Sequence, residues 1–374
     1  MRYCTHCLMP NTKPYISFDK QGVCNACIAH QRKQDALDSI DWQAREREFY
    51  ELVSQIKAQH APFYDVLVPV SGGKDSITQV HRLQQKGLRI LAVNIDYGIK
   101  TEIGHYNLNL IPQNMEAHLM IYKPEQVLHN RLTRIGLEDY GDPDLMSHTL
   151  LHAYPLWIAL QLKVPLVLLG ENSAFEYGGD EKIANDKNIT REWFNKYAAN
   201  KELTAQRIGE KYNIPYDMLK YYDFPDEIET SGIQAVFCSF YFYWDSEEHL
   251  RIARQYGFRT LQGHKEGTYR NYVGIDEKIN RLHQYLKVLK FGYGRATDHA
   301  CEDIRNGRIS REEAKNLVRQ YDLEPLSAAY LDDFVSYLGY TKSTLSRILE
   351  KYRNTEIWQR DNKGEWYIPN HLQD

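Results

Sequence analysis

The chain has 374 residues, 43% of them apolar and 26% charged, with a formal net charge of −4. That length allows two or three domains of ~150 residues each, and the mild acidic balance argues against a protein that coats nucleic acid through a basic surface. No stretch approaches the ~18 consecutive apolar residues of a membrane span, and "MRYCTHCLMP" lacks the apolar core of a signal peptide, so a cytoplasmic protein without membrane attachment is expected.

Four of the six cysteines fall within the first 27 residues, as Cys4 and Cys7 in "CTHC" and Cys24 and Cys27 in "CNAC". A C-x-x-C turn aims two thiolates at one point, and two such turns complete a tetrahedral four-sulfur shell with no position open for substrate. Residues 1–35 therefore read as a module folded around a structural zinc ion, with an iron–sulfur cluster as the alternative. "FDKQGVC" supplies a hairpin turning near Lys20–Gly22. So short a segment has little core of its own, and metal binding would supply its folding energy.

A charged amphipathic helix is expected over 43–59. "YDVLVPV" (64–70), "RILAVNID" (89–96), "AHLMIY" (117–122), "PLVLLG" (165–170) and "FRTLQG" (258–263) are strand candidates. In "ITQVHRL", Ile77, Val80 and Leu83 share a helical face, and 148–162 reads as a further helix. Strands alternating with helices give an α/β fold with a doubly wound parallel sheet, placed here in a domain of residues 36–275. The Tyr- and Phe-rich stretch at about 171–245 reads as an insertion covering the substrate. From 276 to 374 the pattern is helical, with Ile279, Leu282, Leu286 and Leu289 on one stripe and further helices at 310–320, 326–337 and 342–352.

Ligands of such sheets gather beyond the carboxyl ends of the strands. The first of those ends carries "SGGKDS" (71–76). It is not a Walker A loop, because Val68 stands at the first glycine position and Asp75 follows the lysine. The logic of a phosphate cradle still holds. Gly72 and Gly73 let backbone N–H groups turn inward, and a helix starting near Asp75 presents its positive end. Ser71, Lys74 and Ser76 donate to oxygens, while Asp75 fits a bridging magnesium ion. The plain alternative is a glycine turn between strand and helix with a Ser or Asp cap.

S-G-G-x-D-S after a first strand resembles the PP-loop of the ATP pyrophosphatase superfamily. That resemblance implies a loop gripping the β,γ-pyrophosphate of ATP, chemistry between the α- and β-phosphates, and adenosine held near Asn94 and Asp96. A narrower resemblance covers nearly the whole chain. The cysteine pairs, "SGGKDS", "GENSAFEYGG" (170–179), "YFYWDSEEH" (241–249), "HKEGTYRNY" (264–272) and "KFGYGRATDHACEDIRNGRISREEA" (290–314) are similar to the N-acetyl sugar amidotransferases of bacterial surface-polysaccharide and nonulosonic-acid biosynthesis. It implies conversion of an acetamido group on a sugar or nucleotide-sugar to acetamidino with ATP and ammonia. It also implies a separate glutaminase subunit and an ammonia-channelling subunit, similar to those of imidazole-glycerol-phosphate synthase. Cys301 departs from that pattern, which has a small residue such as Ser there.

For this chemistry Lys74 is the first candidate for stabilising charge, followed by Lys265 and Arg295. Glu171 and Asn172 follow the "PLVLLG" strand and are assigned to substrate or magnesium, Glu171 among the catalytic groups; Glu176 and Tyr177 are weaker substrate candidates. Cys238 in "VFCSF" and Cys301 in "HACED" sit in no nucleophile elbow, and read as packing residues rather than a built-in glutaminase; His299 reads as structural. Two rivals stand: a PP-loop enzyme of tRNA thiolation, which would favour a basic face and cysteines near the cleft, and a nonenzymatic nucleotide-binding scaffold.

Overall fold

The structure is a computed structural model that describes residues 1–37, 40–172, 186–199 and 203–373. Its residues form two compact units, one of Met1–Ile40, Arg134–Pro143 and Leu261–Asp374, the other of Asp41–Thr133 and Asp144–Thr260. The first helix, α1 (Asn25–Leu37), belongs to the former.

The latter unit is built on five parallel strands, β1 (Val66–Pro69), β2 (Ile90–Ile95), β3 (Ala117–Tyr122), β4 (Leu166–Leu169) and β5 (Gln234–Phe237), in the order β3-β2-β1-β4-β5. Val66, Ile90, Ala117, Leu166 and Gln234 lie in one row across the sheet, so all five strands end along a single edge. β1, β2 and β4 are almost wholly buried, and their continuous Val, Ile and Leu runs are what a strand covered on both faces requires. β3, at the sheet's margin, is only partly covered, with Ala117 its one buried residue.

α2 (Trp42–Ala58) leads in, and α3 (Lys74–Gln84) and α4 (Glu102–Asn114) connect β1, β2 and β3. Strand order runs outward through β2 and β3 and then reverses to β4, so right-handed crossovers put α6 (Leu145–Leu162) on the opposite face from α3 and α4. α6 is apolar all round, as a helix wedged beneath β1 and β4 must be. α5 (Gln126–Ile135) precedes it, α7 (Ala205–Tyr212) lies between β4 and β5, and α8 (Ser246–Gln255) packs on α3.

One strand differs from expectation. Residues 258–263 form no strand, and the fifth position is taken by Gln234–Phe237, inside the stretch read as an insertion. "QAVF" runs on into the aromatic "CSFYFYW" and does not stand out as a bounded apolar run; pairing with β4 decides the matter, with Leu169 opposite Phe237.

In the first unit the cysteine turns rest on helices near the chain's end. α9 (Ile279–Phe291), α10 (Arg295–Arg305), α11 (Arg311–Tyr321), α12 (Ala328–Leu338) and α13 (Lys342–Lys351) follow one another. Leu8 and Met9 share an apolar cluster with Tyr293, Ala300, Cys301, Ala314 and Val318. Arg311 donates to the carbonyls of Cys7 and Cys4 at 3.2 and 3.3 Å. Thus the short N-terminal segment borrows the core it lacks. Among the described residues no helix is long and apolar enough to cross a membrane.

Candidate functional site

The order of the strands reverses between β1 and β4, which makes the gap beyond their ends the natural crevice for a ligand. "SGGKDS" and Gly170–Asn172 flank that point. Gly72 has φ +91°, and a Cβ there would lie 2.8 Å from the backbone nitrogen of Leu108, so only glycine fits. Gly73 caps α3 with no side-chain hydrogen bond. The first-turn N–H groups of any helix lack partners within it, and here no side chain at the cap position takes one up. Ser71 Oγ accepts from Gly73 N at 3.1 Å, and Ser76 Oγ donates to Gly73 O at 3.0 Å, so both hydroxyls brace the turn.

Lys74 is buried at 6% exposure, yet its ammonium meets Asp75 Oδ2 at 2.8 Å. The other oxygen of Asp75 lies 2.7 Å from Nδ1 of His249, which is wholly buried. Burial alone would raise the Asp75 carboxyl, but the Lys74 charge and the His249 hydrogen bond outweigh it and hold the group well below the usual carboxylate range. His249 is the residue that sequence reasoning missed. Its signal was present in "YFYWDSEEH", where Asp245 caps α8 and delivers the imidazole in the first turn.

At the end of β2, Asn94 Nδ2 donates to Val70 O at 2.6 Å and ties this strand to the start of the loop. Its Oδ1 is buried and has no partner among the described residues. Asp96 accepts from Gly98 N at 2.9 Å and pairs with Lys123 at 3.2 Å. Burial opposes the ionised form of Asp96, but the Gly98 hydrogen bond and Lys123 prevail and lower its pKa. Asn172 is held from three sides: its N–H by Ser239 Oγ at 2.9 Å, its Oδ1 by Trp193 Nε1 at 3.1 Å, and its Nδ2 by Asp186 O at 3.5 Å. Those bonds give it a structural part in fixing the loop after β4. Glu171 precedes it, half-buried. Glu176 and Tyr177 lie outside the described residues. Cys238 is fully buried, its thiol pushed up by burial, which is the opposite of an activated nucleophile.

Lys265 and Arg295 belong to the first unit. Lys265 is 5% exposed, and its ammonium makes neither hydrogen bond nor ion pair among the described residues. Burial pushes it down to about 8; Asp276 opposes the fall, while Arg281 and Arg295 add to it. Arg295 opens α10, half-exposed, 3.8 Å from Asp298. Around these two, the charged residues of the late motifs neutralise one another. Arg270 bridges Glu302 at 2.9 Å and Asp303 at 2.7 Å, and Tyr269 also donates to Asp303. Thr268 and His299 meet at 2.6 Å, and Asp322 caps α10 through Gly294 N and Thr297 N.

The four N-terminal thiols have their sulfurs within 4.8 Å of one another, with Cys4–Cys27 at 4.0 Å and Cys7–Cys24 at 3.8 Å. Four sulfurs ~2.3 Å from one zinc ion sit ~3.8 Å apart along a tetrahedron's edges, so the residues fit a single ion; a four-iron cube would hold its cysteines farther apart. Backbone N–H groups of Cys7, Met9, Cys24 and Cys27 point at the sulfurs at 3.1–3.5 Å, as a second shell that fixes thiolates should. The hairpin turns where expected, with Gly22 at φ +79° and Phe18 bridged to Cys24. Cys301 accepts from Leu8 N at 3.4 Å, a part that a serine hydroxyl would also play.

The fold is thus a doubly wound parallel α/β sheet with a glycine cradle at its switch point, beside a four-cysteine module and a helical C-terminal part. Residues 266–373 match the model of a family described as LPS biosynthesis protein WbpG-like, C-terminal domain, which supports the resemblance to the surface-polysaccharide amidotransferases over that segment. No curated protein sequence matches the chain. Among solved structures it is similar to an NMN synthetase from Francisella tularensis at 15% identity, over 58% of this chain and 93% of that one, with a TM-score of 0.28. That fit is too loose to carry a function.

Proposed function

We propose that the protein is an ATP-dependent, AMP-forming amidotransferase of lipopolysaccharide or related surface-sugar biosynthesis, which converts the acetamido group of an N-acetyl sugar or nucleotide-sugar to acetamidino. An amide carbon is a poor electrophile and its oxygen a poor leaving group. Attack of that oxygen on the α-phosphate of ATP breaks the α–β bond, releases pyrophosphate and gives an O-adenylyl imidate. Ammonia then adds to the imidate carbon, and AMP leaves with the former amide oxygen. Positioning and electrostatic stabilisation supply most of the acceleration in such a scheme.

The observation that carries this reading is the uncapped start of α3 beside a buried lysine, at the sheet's switch point. Ser71 to Ser76 would hold the pyrophosphate, with Lys74 moving its charge from Asp75 to the phosphate oxygens. The freed Asp75 carboxylate is the anionic group of the loop that would face magnesium, whose chemistry is to neutralise the polyphosphate. Asn94 and Asp96 are assigned to the adenosine side and Glu171 to the reacting amide; Lys265 and Arg295 are the further candidates for stabilising charge in the reaction. Ammonia would come from a glutaminase with a channelling subunit, since neither buried Cys238 nor buried Cys301 offers a glutaminase nucleophile.

Incubation with ATP, ammonium and N-acetyl sugar nucleotides, followed by mass spectrometry, tests the reading: the product should carry NH in place of one oxygen. AMP release that depends on tRNA instead of sugar would establish the thiolation rival.

A further inference from the structure

We propose that His249 is a positioning residue of the phosphate cradle: its Nδ1–H donates to Asp75 and fixes the carboxylate that sets the ammonium of Lys74. The inference rests on the reading of residues 71–76 as a polyphosphate site, and adds a group from outside the loop that the loop needs in order to work.

Three contacts place the imidazole. Nδ1 is 2.7 Å from Asp75 Oδ1, while Asp75 Oδ2 is 2.8 Å from Lys74 Nζ, so the carboxylate is held at both ends. Trp244 presents its ring edge-on to the imidazole at 4.5 Å between centroids. Thr78 Oγ1 reaches Lys74 O at 3.0 Å and His249 O at 3.3 Å, lacing the first turn of α3 to that of α8. Behind these, Asp245 accepts from the N–H groups of Glu247 and Glu248 at 2.9 Å each and fixes where α8 begins.

The remaining nitrogen decides the tautomer. Nε2 is buried and has no partner among the described residues. A proton there would leave a buried donor unsatisfied, at a cost of roughly 1–3 kcal/mol, and would leave Nδ1 as an acceptor facing an ionised oxygen. The Nδ1–H form leaves Nε2 as a buried acceptor without a partner among the described residues, but puts a donor against the ionised oxygen, and a hydrogen bond to a charged group is the stronger interaction. That form gives the histidine a donor with a fixed direction, which holds the Asp75 carboxylate in the orientation that would face magnesium. Without that donor the carboxylate would be free to turn, and neither the magnesium nor the Lys74 ammonium would be set in place.

Two readouts on the full-length protein test this. Nitrogen-15 NMR of the imidazoles, with His249 assigned by the signal lost in His249→Asn, should show the Nδ1–H tautomer; an Nε2–H tautomer overturns the inference. Calorimetric titration with magnesium-ATP should give a dissociation constant about tenfold weaker for His249→Leu, as loss of a hydrogen bond to a charged group predicts. His249→Asn, whose amide N–H stands where Nδ1–H stood, should bind within about twofold of the native chain. Native affinity in His249→Leu, or an equal loss in both variants at unchanged melting temperatures, overturns it. A native chain that formed ADP would defeat the amidine chemistry and leave both readouts intact, so the two failures are distinct.

Discussion

The two units use charged residues in opposite ways. In the first, Arg270, Glu302, Asp303, Thr297 and Asp322 are drawn into mutual bonds, and the buried Lys265 ammonium is an exception. In the sheet unit, the strand ends carry a short chain of charge, from buried Lys74 through Asp75 to buried His249, together with buried acceptors on Asn94 and Gln79 that have no partner among the described residues. A motif dense in charge is therefore no guide to a site until its partners are counted.

The cysteine module gives the largest contrast. Cys24→Ser removes one of four ligands from a shell that would contribute much of the folding free energy, and should lower the melting temperature by ~10 °C or more. Elemental analysis of the purified variant should show the zinc lost. Next comes the network of the late motifs. Arg270→Leu removes the nearer arginine from the buried Asp303, which keeps Tyr269 and Arg308, so the loss should stay below the ~3–5 kcal/mol of a buried charge left wholly unpaired; the midpoint of urea unfolding reads it. A fall within experimental error would mean that this network contributes nothing to the shape.

Lys74→Met should reduce sugar-dependent AMP formation by about 10²–10³-fold, with the circular dichroism spectrum unchanged. If that variant lost ATP binding while the pathway product persisted, the scaffold rival would stand. The smallest effect concerns Lys265. Its folded value of about 8 lies below the ordinary 10.5, so the folded state sheds this proton first. The burial penalty is in full force below pH 8 and fades as pH rises to about 10.5. Lys265→Met should accordingly unfold later than the native chain at pH 7, by at most about 3 kcal/mol, and lose that advantage by pH 10.5.

Much of this was legible in the chain itself. Continuous apolar runs marked β1, β2 and β4 because strands buried on both faces leave no other pattern, and "CTHC" with "CNAC" marked the thiol cluster because spacing alone sets the turn. β5 was not legible, since "QAVF" runs on into the aromatic "CSFYFYW" and has no bounded apolar run of its own; the partner strand selects it. His249 was hidden for a related reason. Nothing in "WDSEEH" says which way the imidazole points until α8 is laid on α3. Asn94 and Asn172 were rightly placed at strand ends, but sequence gave no hint that their amides brace the loops from within.

The central claim is that residues 71–76 hold a pyrophosphate while the bond behind it breaks. Phosphorus NMR of ATP incubated with the protein, an N-acetyl sugar nucleotide and ammonium reads this directly. AMP and pyrophosphate rising together, only when sugar is present, is the predicted result. ADP with inorganic phosphate would contradict it.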